Sequence, residues 1–168
     1  MSLAFYNQFP ERVDSLIIID TGPGFKNEDA RNNWNNYAIS TAEKFELSGL
    51  DSLTGRSKEM DPKNHLNAKG LSKAARGMLT QHDDRIIRSL EKISVPSLII
   101  VGENDEPFLA ASDYMERKIV GSKKVVISHD IIWGVNEIHS RLHNNNGFKS
   151  MVHLYAYFSV KLYCVFDY

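Results

Sequence analysis

The sequence has few of the features that mark secreted or nucleic-acid-binding proteins. Its 168 residues contain one cysteine, Cys164, which excludes an internal disulfide and favours a reducing compartment. The formal net charge is −1, so no electrostatic attraction to nucleic acid is expected. No basic segment followed by an apolar run stands at Met1, so no secretory signal is predicted. We therefore expect a cytoplasmic protein.

The chain also lacks an apolar run long enough for a membrane span. The most suggestive segment lies near the C-terminus, where His153 and Lys161 interrupt it. A span needs about 20 mainly apolar residues, so none is predicted. Aromatic residues are instead concentrated in residues 148–168. This change of composition predicts that residues 129–168 form an atypical tail, disordered or foreign to the fold of the preceding domain.

Three short apolar runs indicate the strands of a parallel sheet. They are Ser15–Asp20, Ser97–Val101 and Lys123–Ser128. Helical patterns separate them, and strand–helix–strand units give parallel neighbours with right-handed crossovers. A further helix, Ser2–Gln8, precedes the first run. The sequence therefore predicts an α/β domain over residues 1–128 with about three parallel strands.

The segment between the first two strands, about residues 21–93, is far longer than the usual connection of about 2–6 residues. Asn27 is placed to cap a helix that runs to about Leu47. Leu71–Gln81 and Asp84–Lys92 are two further helical stretches. The sequence therefore predicts a helical insertion between the strands.

The stretch from Pro96 to Phe108 is the most informative part of the chain. It reads Pro-Ser-Leu-Ile-Ile-Val-Gly-Glu-Asn-Asp-Glu-Pro-Phe, so Asp105 follows a buried strand directly. Open α/β sheets place their chemistry beyond the carboxyl ends of the strands. A strand, then Gly-x-x-Asp, then a helix opened by proline resembles the acid-bearing loop of the α/β-hydrolase fold.

The front of the chain is similar to the same superfamily. Leu3 to Ile19 resembles the helix that follows the nucleophile elbow, a Pro-Glu-Arg-Val turn and the next strand. Asp20 to Gly24 resembles the loop that leaves the sheet and enters the lid. The resemblance covers residues 1–128 and implies that residues 21–93 are a lid. It further implies a serine hydrolase that cleaves an ester or similar small carbonyl substrate with water and without a cofactor.

The nucleophile elbow itself is missing. The elbow has the form Gly-x-Ser-x-Gly, and no such pentapeptide occurs in the sequence. In the superfamily it would lie a few residues before Met1, so the chain resembles the C-terminal half of a hydrolase and is expected to be inactive alone. The alternative is a non-catalytic truncated isoform or fragment that acts through a partner. An unpaired sheet edge predicts self-association in either case.

Asp105 is the candidate catalytic acid. In a Ser-His-acid triad the acid orients the imidazole and stabilises its charged form. The alternative is a simple helix cap ahead of Pro107, because aspartate is a favoured capping residue. Glu103 and Glu106 are weaker candidates and are better explained as solvated loop charges.

His129 is the candidate general base. It directly follows the third strand, and it comes after Asp105, as the order nucleophile, acid, histidine requires. The alternative is a surface histidine, because the Gly-His pair of the superfamily is lacking. His139 and His143 lie four residues apart, but no further ligands are spaced to join them, so no metal site is predicted.

Overall fold

The computed structural model describes residues 2–53 and 61–127, and these form a three-stranded sheet surrounded by helices. All pairings are parallel, and the strand order follows the chain, so the second strand is central. The predicted α/β fold with three parallel strands is confirmed. The strands are β1 (Leu16–Ile19), β2 (Ser97–Gly102) and β3 (Lys123–Ile127).

Five α-helices accompany the sheet in the described residues. Their bounds agree with the predicted pattern to within a few residues at most ends. They are α1 (Ser2–Gln8), α2 (Glu28–Ser48), α3 (Ala68–Ala74), α4 (Arg85–Ser89) and α5 (Glu106–Lys118). Single 3₁₀ turns stand at Pro10–Arg12, Gly49–Ser52, Pro62–Asn64 and Leu90–Lys92.

The helical insertion, which we define as residues 21–93, lies between β1 and β2 and contains α2, α3 and α4. Asn27 caps α2 as expected, because its side chain accepts the N–H of Ala30 at 2.8 Å. The second helical stretch differs from the prediction. It begins at Ala68, capped by Asn67, and after Ala74 it widens into a π-helical turn over Ala75–Leu79.

The main core lies on one face of the sheet. Side chains alternate between the faces of a strand, so Ile18 and Ile99 point to this face together. Helices α1 and α5 and the turn after α4 cover it. Its buried members are Leu3, Tyr6, Leu16, Ile18, Leu90, Ile93, Ile99, Met115 and Ile119.

A smaller cluster lies on the opposite face. Leu98, Ile100 and Ile127 are its buried members, and Ile17 and Val125 pack against them. All six residues of β2 are buried, so this strand is the centre of the described structure. The loop after β2 therefore begins at the carboxyl end of a fully buried central strand.

Candidate functional site

Two aspartates stand at the carboxyl edge of the sheet. Asp20 follows the last residue of β1, and Asp105 comes three residues after the end of β2. The two strands are parallel and adjacent, with Ile19 opposite Ile100. Their carboxyl ends therefore meet at one edge, which brings together two acidic side chains that are 85 positions apart in the sequence.

Asp105 occupies the residue just before α5. Its backbone N–H donates to the carbonyl of Gly102 at 3.1 Å, and its carbonyl accepts the N–H groups of Phe108 and Leu109 at 3.0 Å each. Its side chain makes no capping hydrogen bond to the helix. The position is that of a helix cap, and the N–H of Phe108 lowers the pKa of the carboxyl without forming a capping hydrogen bond of normal geometry.

The surroundings of Asp105 favour its neutral form. Partial burial raises the pKa of this carboxyl above its ordinary value, and the nearby charge of Asp20 raises it further. The N–H of Phe108 acts in the opposite sense. A carboxylate in such a place is stabilised by any cation that approaches it, because a positive charge offsets both the burial and the repulsion. Glu103 and Glu106, the other acidic residues of the loop, are exposed.

The loop after β1 packs closely against the start of α5. A Cβ atom placed on Gly22 would lie 3.5 Å from the Cβ of Ala111 and 3.8 Å from the ring of Phe108. Gly24 has a φ of 94°, and an added Cβ there would lie 2.8 Å from Oε1 of Gln81. A side chain at position 22 would therefore be in van der Waals contact with α5, whereas position 24 favours glycine both for its positive φ and because a Cβ there would crowd the Gln81 side chain.

Comparison with solved structures identifies the fold of the chain. The described geometry is similar to MenH from S. aureus, with 22% identity, a TM-score of 0.65, and 83% of this chain covered. A carboxylesterase structure from Nitrososphaera gargenis gives 17% identity, a TM-score of 0.65 and 90% coverage. The chain has part of the α/β-hydrolase fold.

A third solved structure shows the same similarity of fold. The enol-lactonase from Burkholderia xenovorans matches with 15% identity, a TM-score of 0.59, and 89% of this chain covered. The chain spans 57% of the MenH structure and 61% of the other two. No family model matches the sequence. No curated protein matches it either. At these identities the likeness concerns the fold alone.

The predicted base lies outside the described residues, so His129 stays a prediction. The end of β3 nevertheless lies beside the acid loop of this α/β-hydrolase fold. Gly102 stands opposite Ile127 in the register, and the N–H of Glu103 donates to the carbonyl of Ile127 at 3.0 Å. Ile127 is the last described residue, and His129 follows it by two positions.

A cleft runs beside α5, but Asp105 does not line it. Its walls are mostly charged, and Nζ of Lys26 lies 5.5 Å from the ring centroid of Tyr114. The residues that line it are Lys26, Ile87, Arg88, Glu91, Tyr114 and Lys118. Within residues 2–53 and 61–127, no three His, Cys, Asp or Glu side chains are grouped to hold a metal ion. Over the same ranges, none of the helices is both long and apolar enough to cross a bilayer.

Sequence reasoning missed the role of Asp20. It identified Asp20 only as the start of a loop, whereas the structure gives this residue the one positive φ among the described non-glycine residues, 38°. Its Oδ1 atom accepts the N–H of Gly102 at 3.0 Å. The available signal was an aspartate placed directly after a strand and followed by Thr-Gly-Pro-Gly, a pattern typical of a chain that turns sharply.

Proposed function

We propose that this chain is the acid-bearing part of a lid-bearing α/β hydrolase that cleaves an ester or a similar small carbonyl substrate with water. The observation that carries the proposal is the placement of Asp105. It is a partly buried carboxylate just beyond the central strand, and its side chain makes no capping hydrogen bond to the next helix. Carboxylesterase and enol-lactonase structures share the fold, which supports this class of reaction.

In this proposal Asp105 orients a histidine and stabilises its imidazolium form. An imidazolium beside Asp105 would relieve the burial and the repulsion from Asp20 that now raise the pKa of the carboxyl. His129 is the proposed base, because it follows the strand next to the acid loop. The nucleophile would be the serine of a Gly-x-Ser-x-Gly elbow, which these 168 residues do not contain.

The helical insertion is the proposed lid. Trp34 on α2 packs between Phe25 and Tyr37, with ring centroids 6.1 and 5.9 Å away. Its Nε1 atom donates to the carbonyl of Leu79 at 2.7 Å. The ring contacts lie within α2 and the loop before it, and the Trp34 hydrogen bond joins α2 to the π turn, which supports a packing role for Trp34 in the insertion.

A second candidate function is non-catalytic. Absence of the Gly-x-Ser-x-Gly pentapeptide favours it, because the nucleophile and the oxyanion donors around an elbow supply most of the rate enhancement in such sites. Under this alternative the chain acts, if at all, through a partner. Under both, the isolated chain is expected to resist labelling by a fluorophosphonate probe, and stoichiometric single-site labelling of folded protein would contradict both.

The experiment that separates the two candidates begins with the transcript upstream of Met1. If an elbow is encoded there, the longer product should hydrolyse small esters, and Asp105→Asn should lower kcat by about 10⁴-fold, the usual effect of replacing a triad acid. Glu103→Gln, an exposed neighbour in the same loop, is the matched control and should leave kcat unchanged. Full activity in Asp105→Asn would contradict the assignment of Asp105 as the triad acid, an inactive longer product would contradict the hydrolase proposal, and an untranslated leader would favour the non-catalytic one.

A further inference from the structure

The ladder between β1 and β2 ends in an unusual way. The register continues past Ile19 and Ile100, so the backbone N–H of Asp20 still donates to the carbonyl of Ile100 at 3.0 Å. In a parallel ladder a residue bonds to both flanking residues of the opposite strand. The next bond would therefore join the N–H of Gly102 to the backbone carbonyl of Asp20.

That bond is made by a side chain instead. The N–H of Gly102 donates to Oδ1 of Asp20 at 3.0 Å, so a carboxylate oxygen stands in for the backbone carbonyl. The substitution is coupled to the backbone of Asp20, whose φ of 38° turns the main chain away from the sheet. Left-handed conformations are uncommon outside glycine, although aspartate tolerates them better than most residues. Such outliers often mark sites where the surrounding contacts hold the chain in place.

Gly102, which the Asp20 carboxylate anchors, is also the residue from which the loop that carries Asp105 begins. The carbonyl of Gly102 accepts the N–H of Asp105 at 3.1 Å, and the next residue, Glu103, donates to Ile127 on β3. The start of the loop is thus held from β1 by the Asp20 carboxylate and from β3 by a backbone bond. Loss of either anchor would let the loop drift relative to the sheet edge.

We propose that Asp20 is the positioning residue for Asp105: its carboxylate completes the β1–β2 ladder at Gly102 and thereby fixes the loop that presents the acid. The inference rests on the proposed function only where it calls Asp105 the acid. The contacts that define it lie entirely within the described residues.

The charge of Asp20 has a second effect. Burial is the larger cause of the raised pKa of Asp105, and the negative charge of Asp20 is the next. An asparagine could accept the same hydrogen bond without this charge. The side chain of Asp20 therefore has two separable roles. Its Oδ1 atom accepts the hydrogen bond from Gly102, and its negative charge makes a cationic partner more favourable beside Asp105.

Three variants of the full chain separate these roles. Asp20→Asn keeps the acceptor and removes the charge, Asp20→Ala removes both, and Glu103→Gln removes an exposed loop charge as the control. Hydrogen exchange of the Gly102 amide reports the anchor, and ¹³C titration of the Asp105 carboxyl reports the charge. In Asp20→Ala, exchange at Gly102 should rise by about tenfold, the usual effect of losing one hydrogen bond.

In Asp20→Asn, exchange at Gly102 should stay near that of the parent, while the pKa of Asp105 should fall towards its ordinary value. Glu103→Gln should change neither. Parent-like exchange in Asp20→Ala would overturn the proposal, and so would an unchanged Asp105 titration in Asp20→Asn. Asp20→Gly relieves the positive φ, so increased exchange in that variant as well would support loss of the carboxylate, rather than strain from alanine, as the cause.

Neither readout requires catalysis, so the proposal can fail or stand separately from the hydrolase function. In a longer product that hydrolyses esters, Asp20→Asn should also move the acidic limb of the kcat/KM profile to lower pH. An inactive longer product would remove the hydrolase proposal and leave the exchange and titration results as they are. An active product whose profile is unaffected by Asp20→Asn would overturn the effect of the Asp20 charge on the acid.

Discussion

The sheet and the helical insertion are held together in different ways. The main core contains nine buried side chains, which come from β1, β2, α1, the turn after α4 and the region of α5, and most of them are large and apolar. In the pair formed by α2 and α3 with its π turn, the buried residues are small: Ala38, Ala42, Ser72 and Ala75. Polar contacts of Glu46 and Asn35 bridge these helices instead.

The difference matters because the two kinds of contact have different strengths. Burial of one large apolar side chain is worth about 1.5–3 kcal/mol, whereas one hydrogen bond adds about 0.5–1.5 kcal/mol net. Small residues let α2 and α3 approach closely, but they remove little apolar surface from water. The α2–α3 part of the insertion should therefore open at a lower free energy than the sheet, as regions with few buried apolar contacts do, whereas Leu90 and Ile93 at the end of the insertion belong to the main core. A lid of the kind we propose would need this property to admit a substrate.

The prediction with the largest expected effect concerns the contribution of the sheet to the free energy of unfolding. Ile99 on β2 is fully buried at the centre of the main core. Ile99→Ala leaves a cavity there, so the free energy of unfolding should fall by about 2–5 kcal/mol in a denaturant titration. Leu66→Ala is the control, because Leu66 is 99% exposed and its loss should change stability by at most about 0.5 kcal/mol. Equal effects of the two changes would mean that β2 is not the central strand.

The second prediction concerns a smaller and more local change, in the free energy at which the insertion opens. The side chain of Asn35 makes two bonds to the backbone of Gln81: its Nδ2 donates to the carbonyl at 2.8 Å, and its Oδ1 accepts the N–H at 2.7 Å. Asn35→Ala leaves both groups of Gln81 without this partner, which should lower the opening free energy of the insertion by about 1–3 kcal/mol. Hydrogen exchange should rise in Glu28–Ser48 and stay unchanged in Ser97–Gly102.

Asn36→Ala is the matched control for that change. Asn36 is the exposed neighbour on the same helix, so its replacement should leave exchange in α2 near that of the parent. If exchange in β2 rises together with exchange in α2, the two regions open as one unit. The contrast between them would then be wrong.

The parts that sequence reasoning predicted are those that local patterns determine. The three strands are short apolar runs, and the cap of α2 follows from Asn27 ahead of two acidic residues. The position of Asp105 after β2 follows from Gly102 and Pro107, which end the strand and open the helix. Each of these features depends on neighbours within a few residues.

The features that were missed depend on contacts between distant parts of the chain. The bond from Gly102 to Asp20 joins residues 82 positions apart, and the pattern around Asp20 indicates a sharp turn but not this partner. The π turn after Ala74 was predicted as ordinary helix, because apolar spacing over so few residues does not distinguish one helical period from another. In the structure this turn places the carbonyl of Leu79 next to Trp34, and the residue Gln81 next to Asn35. The π turn is therefore found where the chain makes hydrogen bonds to α2.

The smallest expected effect concerns pH and again distinguishes the insertion from the sheet. Glu46 accepts hydrogen bonds from Arg76 and Ser72, and these lower the pKa of its carboxyl from 4.5 to about 2. A pKa lowered by folding contributes stability above the unfolded value, and that contribution is lost as the pH falls from 4.5 towards 2.

Glu46→Gln should therefore melt at a slightly lower temperature than the parent at pH 6, and the gap between the two melting temperatures should close through this pH window. Glu103→Gln, an exposed loop residue outside the insertion, is the control and should give no such closing gap. Melting curves recorded between pH 6 and pH 2 would measure the difference. A gap that stays constant to the lowest pH would mean that the Glu46 contacts do not hold α2 to α3.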